Sequence, residues 1–185
     1  VGEDARLVLV GDVDQLPSVG PGAVLRDVIA SRRVPTARLT QIFRQAEGSL
    51  IVANAHRIHA GQLPESAARP DGEFFVVPRT DAQAASDSIL EVVQKRIPQR
   101  FGLDPRRDVQ VLTPMHRGEA GAIALNERLQ AALNPSGPEV TRGSRVLRTG
   151  DKVMQLRNDY DKEVFNGDLG FIVAVDPAER LVKVR

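Results

Sequence analysis

Leu7-Val8-Leu9-Val10-Gly11-Asp12-Val13-Asp14-Gln15-Leu16-Pro17-Ser18-Val19-Gly20-Pro21-Gly22 joins a short apolar run to a loop rich in glycine, proline and carboxylates. Four branched apolar residues that stop at a glycine predict a strand buried on both faces, the habit of a parallel sheet in an α/β domain. Residues 11–22 then form a loop at the carboxyl end of a strand. Open α/β sheets bind ligands just outside those ends, so Asp12, Asp14 and Gln15 stand where chemistry could use them. Gly11, Gly20, Pro21 and Gly22 supply turn geometry without naming a ligand.

Composition narrows the class. The chain has 185 residues, 42% of them apolar, enough for a core in one large or two small domains. No apolar run reaches the roughly 18 to 20 residues that a bilayer span needs, and the first residues show no basic-then-apolar leader. The 25 basic and 24 acidic side chains almost cancel, so a nucleic-acid site has to be local. Residues 1–35 carry 4 basic and 5 acidic groups, residues 36–140 carry 12 of each, and residues 141–185 carry 9 and 7, so only the last segment leans basic. With no cysteine, disulfides and thiolate metal sites are excluded. A soluble, cytoplasmic protein is the expectation.

Along the chain, Ala23, Val24, Leu25, Val28 and Ile29 recur at helical spacing, and the helix ends before Pro35. Ala37 to Ile42 reads as a short strand running into a polar turn at Phe43-Arg44-Gln45. Ser49 is the expected cap of a helix from Leu50 to His59, with Gly61 as its stop and Pro64 beyond. Glu73 to Val77 is a further strand, and Asp81 caps a helix reaching Ile97. Asp108 to Leu112 is a strand that stops at Thr113-Pro114-Met115-His116-Arg117-Gly118, before a helix marked by Ile123, Leu125, Leu129 and Leu133. Strand, loop and helix start make a phosphate-binding geometry, in which free helix amides, a hydroxyl and a guanidinium suit an anion. Alternating strands and helices from Ala37 to Leu133 predict a doubly wound domain with parallel strands.

Asn134-Pro135-Ser136-Gly137-Pro138 reads as a linker, after which the pattern changes to short strands. Lys152 to Leu156 alternates, Asn158 to Asp161 turns, and Asn166-Gly167 is a hairpin signal before Gly170 to Val175. A small antiparallel barrel is the expected outcome. His56 and His59 lack i, i+4 spacing and have no acidic or cysteine partner in a metal pattern, so no metal site is expected.

Three of these stretches carry a family resemblance. Gly-Asp-x-x-Gln-Leu-Pro-x-Val after an apolar strand, extended by Ser-Val-Gly-Pro-Gly, resembles motif III of superfamily 1 helicases in its RecD-like form. Ala37 to Gln45 resembles motif IV of the same enzymes. Gly150-Asp151-Lys152-Val153-Met154-Gln155, with Asn158-Asp159-Tyr160 and Phe165-Asn166-Gly167-Asp168-x-Gly170, resembles the SH3-like barrel inserted in their second motor domain.

The resemblance implies a P-loop NTPase type of α/β fold with RecA-like sheets. In it, residues 1–34 close a first motor domain, residues 35–138 belong to a second, and residues 139–185 form the barrel. It implies ATP and Mg2+ as cofactors, with Gly11, Asp12, Gln15 and Arg44 on the nucleotide side. Gln15 would stand between γ-phosphate and DNA, where a carboxamide offers donors and an acceptor at once. Arg44 would reach the γ-phosphate from the second domain, its planar fork suited to charge that builds in the transition state. On the DNA side it implies Asn54, His56, Thr113, His116 and Arg117, and the basic excess of residues 141–185 adds Lys152, which strand alternation turns to solvent, and Arg157. Single-stranded DNA, duplex junctions and ATP are the implied partners of a monomer that moves 5′ to 3′.

No Gly-x-x-x-x-Gly-Lys-Ser/Thr occurs in the chain, and no acidic pair comes after an apolar run to hold magnesium. The expectation is therefore an internal piece of a longer helicase, inactive by itself. A non-catalytic module that grips single-stranded nucleic acid remains the alternative, with Tyr160, Phe165 and Phe171 as its aromatic candidates. An NTPase moving on RNA or protein would differ only in substrate.

Overall fold

The computed structural model describes residues 4–15, 20–39 and 49–185. They fall into two compact units, Val1–Val77 and Pro78–Arg185.

Among its described residues the first unit holds two helices, α1 (Val24–Ser31) and α2 (Leu50–His59). At the end of α1, Arg32 adopts a left-handed conformation with φ 54°, and its N–H donates to the Ile29 carbonyl at 3.2 Å. The expected cap of α2 is differently made. Ser49 forms no side-chain cap bond, and the Leu50 N–H is taken at 2.5 Å by Oε1 of Glu73, a carboxylate suited to the positive end of a helix. At its other end the glycine expectation holds: Gly61 has φ 72°, its N–H donates to Ile58, and the Gln62 N–H donates to Arg57. That pair of bonds closes the helix as a Schellman motif.

Leu7 to Val10, expected as a doubly buried strand, is extended backbone without a strand partner, and its side chains are 51–92% exposed. Glu73 to Val77 and, in the second unit, Asp108 to Leu112 likewise form no ladder. Apolar β-branched runs prefer an extended, covered backbone, but a strand exists only through a neighbour that takes its N–H and C=O groups. Among the described residues nothing pairs with these three runs, and no parallel pair is formed. The motif IV stretch from Thr40 onward lies outside the described residues.

In the second unit Asp81 caps α3 (Ala82–Glu91) as expected, accepting from the Ala84 N–H at 2.7 Å. The helix does not stop at Glu91. It widens into a π-helical turn over Val92–Arg96 and resumes as α4 (Ile97–Phe101), ending at Gly102 with φ 66°. Pro98 accounts for the widening, because its ring would collide with the carbonyl four residues back and it has no N–H to give. Helix α5 (Ala122–Leu133) packs against α3, burying Leu125, while Val93 is buried in the π turn. Arg128 of α5 ties the two by donating to the buried Ser86 hydroxyl and pairing with Asp87.

Five short strands complete the unit: β1 (Glu139–Arg142), β2 (Arg145–Arg148), β3 (Lys152–Met154), β4 (Leu169–Asp176) and β5 (Leu181–Val184). All pairings are antiparallel, β1 with β2 in one sheet and β3-β4-β5 in a second, with an irregularity between Ile172 and Ala174. The switch to short antiparallel strands is the pattern expected, but the described strands form two separate ladders and no closed barrel. β4 lies against β1 and β2, and Ile172 and Val140 are buried. Asn166-Gly167 makes a tight turn with φ 97° at Gly167, at the end of the long connection between the paired strands β3 and β4.

The polar stretch around Pro135 does not separate α5 from the strands. Asp151 takes the Asn134 amide on Oδ1 at 2.7 Å, and on Oδ2 it takes the Gln130 amide at 2.6 Å and the Arg148 N–H at 2.7 Å. Arg148 then pairs with Glu139 at 2.6 Å and donates to the Asn134 carbonyl at 2.6 Å. One carboxylate thus fastens the end of α5 to the turn between β2 and β3.

Candidate nucleotide and nucleic-acid contacts

The loop after the first apolar run is built around Asp12. Its Oδ1 accepts from the Asp14 N–H at 2.9 Å and its Oδ2 accepts from the Gln15 side-chain amide at 3.0 Å. Those two donors, the Asp14 backbone first, hold the Asp12 carboxyl below its ordinary value of 3.8. At Gly11 a Cβ would stand 2.7 Å from Cδ2 of Leu25 on α1, so a larger residue there would displace the end of that side chain. Gln15 is exposed and keeps its carbonyl oxygen outside this contact, so it can still accept a bond from a ligand or water.

Asp14, to which the motif assigns no role, meets a guanidinium and an imidazole. Arg38 lies 3.2 Å from its Oδ2, and Nε2 of His59, the last residue of α2, lies 3.3 Å from its Oδ1. The sequence signal is a second carboxylate within the loop. Nothing in one-dimensional spacing points from residue 14 to residue 59.

Arg44, the candidate for the γ-phosphate, lies outside the described residues. Asn54 is fully buried, and its carboxamide makes two 2.7 Å bonds to the backbone of Glu65, one donated and one accepted. It is a latch between α2 and the chain after it, with neither end free for a DNA strand. Its neighbour Arg57 reinforces the latch by donating to the Leu63 carbonyl at 2.9 Å and pairing with Glu65 at 3.0 Å. His56 is exposed on the same helix.

In the loop before α5, the Thr113 hydroxyl donates to the Ala120 carbonyl at 2.8 Å and closes the turn. Two of the amides expected to be free for an anion are already engaged: the Ala122 N–H donates to Met115 and the Ile123 N–H to His116, at 2.9 and 3.3 Å. Gly121 permits this fold-back, because a Cβ there would stand 2.4 Å from the Arg117 carbonyl oxygen. His116 and Arg117 remain exposed, so their side chains, rather than the helix end, are what this loop offers.

Lys152, expected to face solvent from its strand, is half-buried, and its ammonium donates to the Val109 carbonyl at 3.1 Å. Arg157 is exposed. Near it, Tyr160 is 74% exposed and meets Phe165 edge to face with ring centres 6.0 Å apart. Among the described residues no cluster of three or more His, Cys, Asp or Glu could hold a metal ion, and no helix is long and apolar enough to cross a membrane.

Residues 125–185 match the family profile of the SH3 domain of ATP-dependent RecD-like DNA helicases, and residues 1–73 match an AAA domain. The chain is 35% identical over 178 residues to the ATP-dependent RecD2 DNA helicase of Deinococcus radiodurans, an alignment covering 96% of this chain and 23% of that protein. To the RecBCD enzyme subunit RecD of Mycolicibacterium smegmatis it is 30% identical over 192 residues, covering 98% of this chain and 34% of that subunit. A conjugal transfer protein TraA of Agrobacterium fabrum is 30% identical across 97% of this chain and 16% of its own length. The chain therefore spans between about a quarter and a third of the first two relatives.

Proposed function

The chain belongs to the RecD-like DNA helicases, and from that premise we propose that the full-length protein hydrolyses ATP to move 5′ to 3′ along single-stranded DNA and separate duplex, in repair or recombination. The observation that carries this reading is the order of the matches, an AAA stretch holding the Gly11–Gly22 loop and then the RecD-like SH3 stretch. In this reading residues 1–34 end a first RecA-like motor domain, residues 35–138 belong to a second, and residues 139–185 are the inserted SH3 module. The protein works as a monomer in the cytoplasm.

The reaction converts ATP and water to ADP and phosphate. Gln15 senses the nucleotide through its carboxamide while Asp12 holds that side chain in place, and a bond gained from phosphate or water draws on the carbonyl oxygen left free. Arg44 places a planar guanidinium on the transferring phosphoryl group when two motor domains close, so hydrolysis depends on closure. Magnesium neutralises phosphate charge in this class of reaction. The described residues offer no acidic cluster that fits it.

On the DNA side His116 and Arg117 approach the strand from the loop before α5, with Arg157 on the same unit, and His56 is a contact of the first unit by itself. Thr113 shapes that loop, and Lys152 adds charge from β3. Asn54 has no place in this set. The test is ATP turnover by the full-length protein with and without single-stranded DNA. Strong stimulation supports the proposal, and turnover indifferent to DNA contradicts it.

A further inference from the structure

One basic cavity of the second unit belongs to none of the contacts above. It is an open hollow of about 290 Å³ lined by Arg106, Arg107, Gly150 and Phe171. A volume at the lower edge of the small-molecule range, roughly 300 to 1,000 Å³, admits one nucleotide unit and little more. The two arginines project from a turn that their own backbone makes rigid. Oδ1 of Asp104 accepts from the Arg106 and Arg107 N–H groups at 2.8 and 3.0 Å, and the Asp104 N–H donates to Asp108 Oδ2 at 2.8 Å.

Both nearby carboxylates are thus engaged by backbone, and neither guanidinium enters an ion pair among the described residues. Lys152 stands opposite Phe171 in the β3–β4 register, so the two side chains share one face of the sheet, with the ammonium held by the Val109 carbonyl. Gly150 keeps the floor open. Its φ is 92°, and a Cβ there would stand 3.3 Å from Nη1 of Arg106.

We propose that Arg106, Arg107, Gly150 and Phe171 seat one nucleotide of a single DNA strand, with the guanidiniums on its phosphodiester and the Phe171 ring against its base. Paired planar forks suit phosphate oxygens, and an aromatic face accepts any base, so the seat is indifferent to sequence. The inference rests on the reading that this protein binds single-stranded DNA. It adds a contact point between the α4–α5 connection and the strand module that neither the motifs nor the matched families assign.

The test is fluorescence anisotropy of a labelled oligothymidylate with the full chain across a salt series. Arg107→Ala, an exposed substitution, lowers the slope of log affinity against log salt by about 0.7, and Arg106→Ala with Arg107→Ala lowers it by up to about 1.4. Phe171→Leu weakens binding about tenfold, and that loss disappears on an abasic oligonucleotide because no base remains to stack. A folded Arg107→Ala chain with unchanged slope and affinity overturns the seat. So does a Phe171→Leu loss that persists on abasic DNA, or competition by inorganic phosphate as effective as by thymidylate, which marks a plain anion site. If the unaltered chain binds no oligonucleotide, the DNA-binding reading falls as well. If it binds and the variants behave like it, only the seat falls.

Discussion

The side-chain amide of Gln15 donates to Oδ2 of Asp12 at 3.0 Å, while the other oxygen of the same carboxylate holds the Asp14 N–H. Asp12 therefore sets both the turn and the direction in which Gln15 presents its carbonyl. In the full-length protein, Gln15→Ala is expected to abolish most of the stimulation of ATP hydrolysis by single-stranded DNA while basal turnover persists. Asp12→Ala should show a weaker form of the same defect, since it frees Gln15 without removing it. ATPase assays with and without DNA decide this, and an unchanged stimulation ratio in Gln15→Ala contradicts the coupling role.

Arg44→Ala is expected to lower kcat by about 10³-fold or more, the scale of a lost arginine finger, while ATP binding stays within a few-fold. Lysine at that position should rescue poorly because it lacks the planar fork. A kcat close to that of the unaltered protein would make Arg44 an ordinary surface residue.

Asn54 and His56 stand two residues apart on α2, but their surroundings predict opposite behaviour. Asn54→Ala removes two bonds from the Glu65 backbone at a buried position and should cost about 1 to 3 kcal/mol, lowering Tm by several degrees. Once corrected for the folded fraction, its DNA affinity should be unchanged. His56→Ala should leave Tm within about a degree, as for most surface substitutions. Thermal melts paired with DNA titrations separate the latch from the contact.

Stability should fall at acid pH and stay level near neutrality. Asp12, Asp87, Asp104 and Asp159 are all held below an ordinary value of 3.8, chiefly by the Asp14 N–H, the Arg128 guanidinium, the Arg107 N–H and the Lys162 ammonium respectively. A carboxyl depressed in the folded state contributes fully above its unfolded value and loses that contribution as pH falls through the lower folded one. Melting temperature should therefore hold from about pH 5 upward and decline below pH 4. Lys162, raised above 10.5 mainly by its bond to Asp159, adds stability that is lost only as pH climbs through its folded value. A melt series with its decline centred near pH 6 would contradict this assignment.

Local structure is legible in the sequence where one residue suffices to specify it. Asp81 caps its helix, Gly61 ends another, and Asn166-Gly167 turns, because each acts on backbone groups within a few positions. The apolar runs at Leu7, Phe74 and Val109 have the composition of strands, yet among the described residues they have no ladder, since pairing depends on a distant neighbour that spacing cannot display. The candidate site divides in the same manner. Asp12, Gln15, His116 and Arg117 stand out because they sit in contiguous motifs. Asp14 with His59, and Arg106 with Phe171, meet only in three dimensions. Strand alternation directs Lys152 to solvent, but a carbonyl from another segment claims its ammonium. Alternation chooses a face and does not say what covers it.

Strand separation by the full-length protein tests the central claim most directly. On matched duplexes with either a 5′ or a 3′ single-stranded tail, the expected result is ATP-dependent unwinding of the 5′-tailed substrate, little of the 3′-tailed one, and loss of both in Arg44→Ala. Absence of ATP-dependent unwinding on either tail, by a protein shown to be folded, would contradict it.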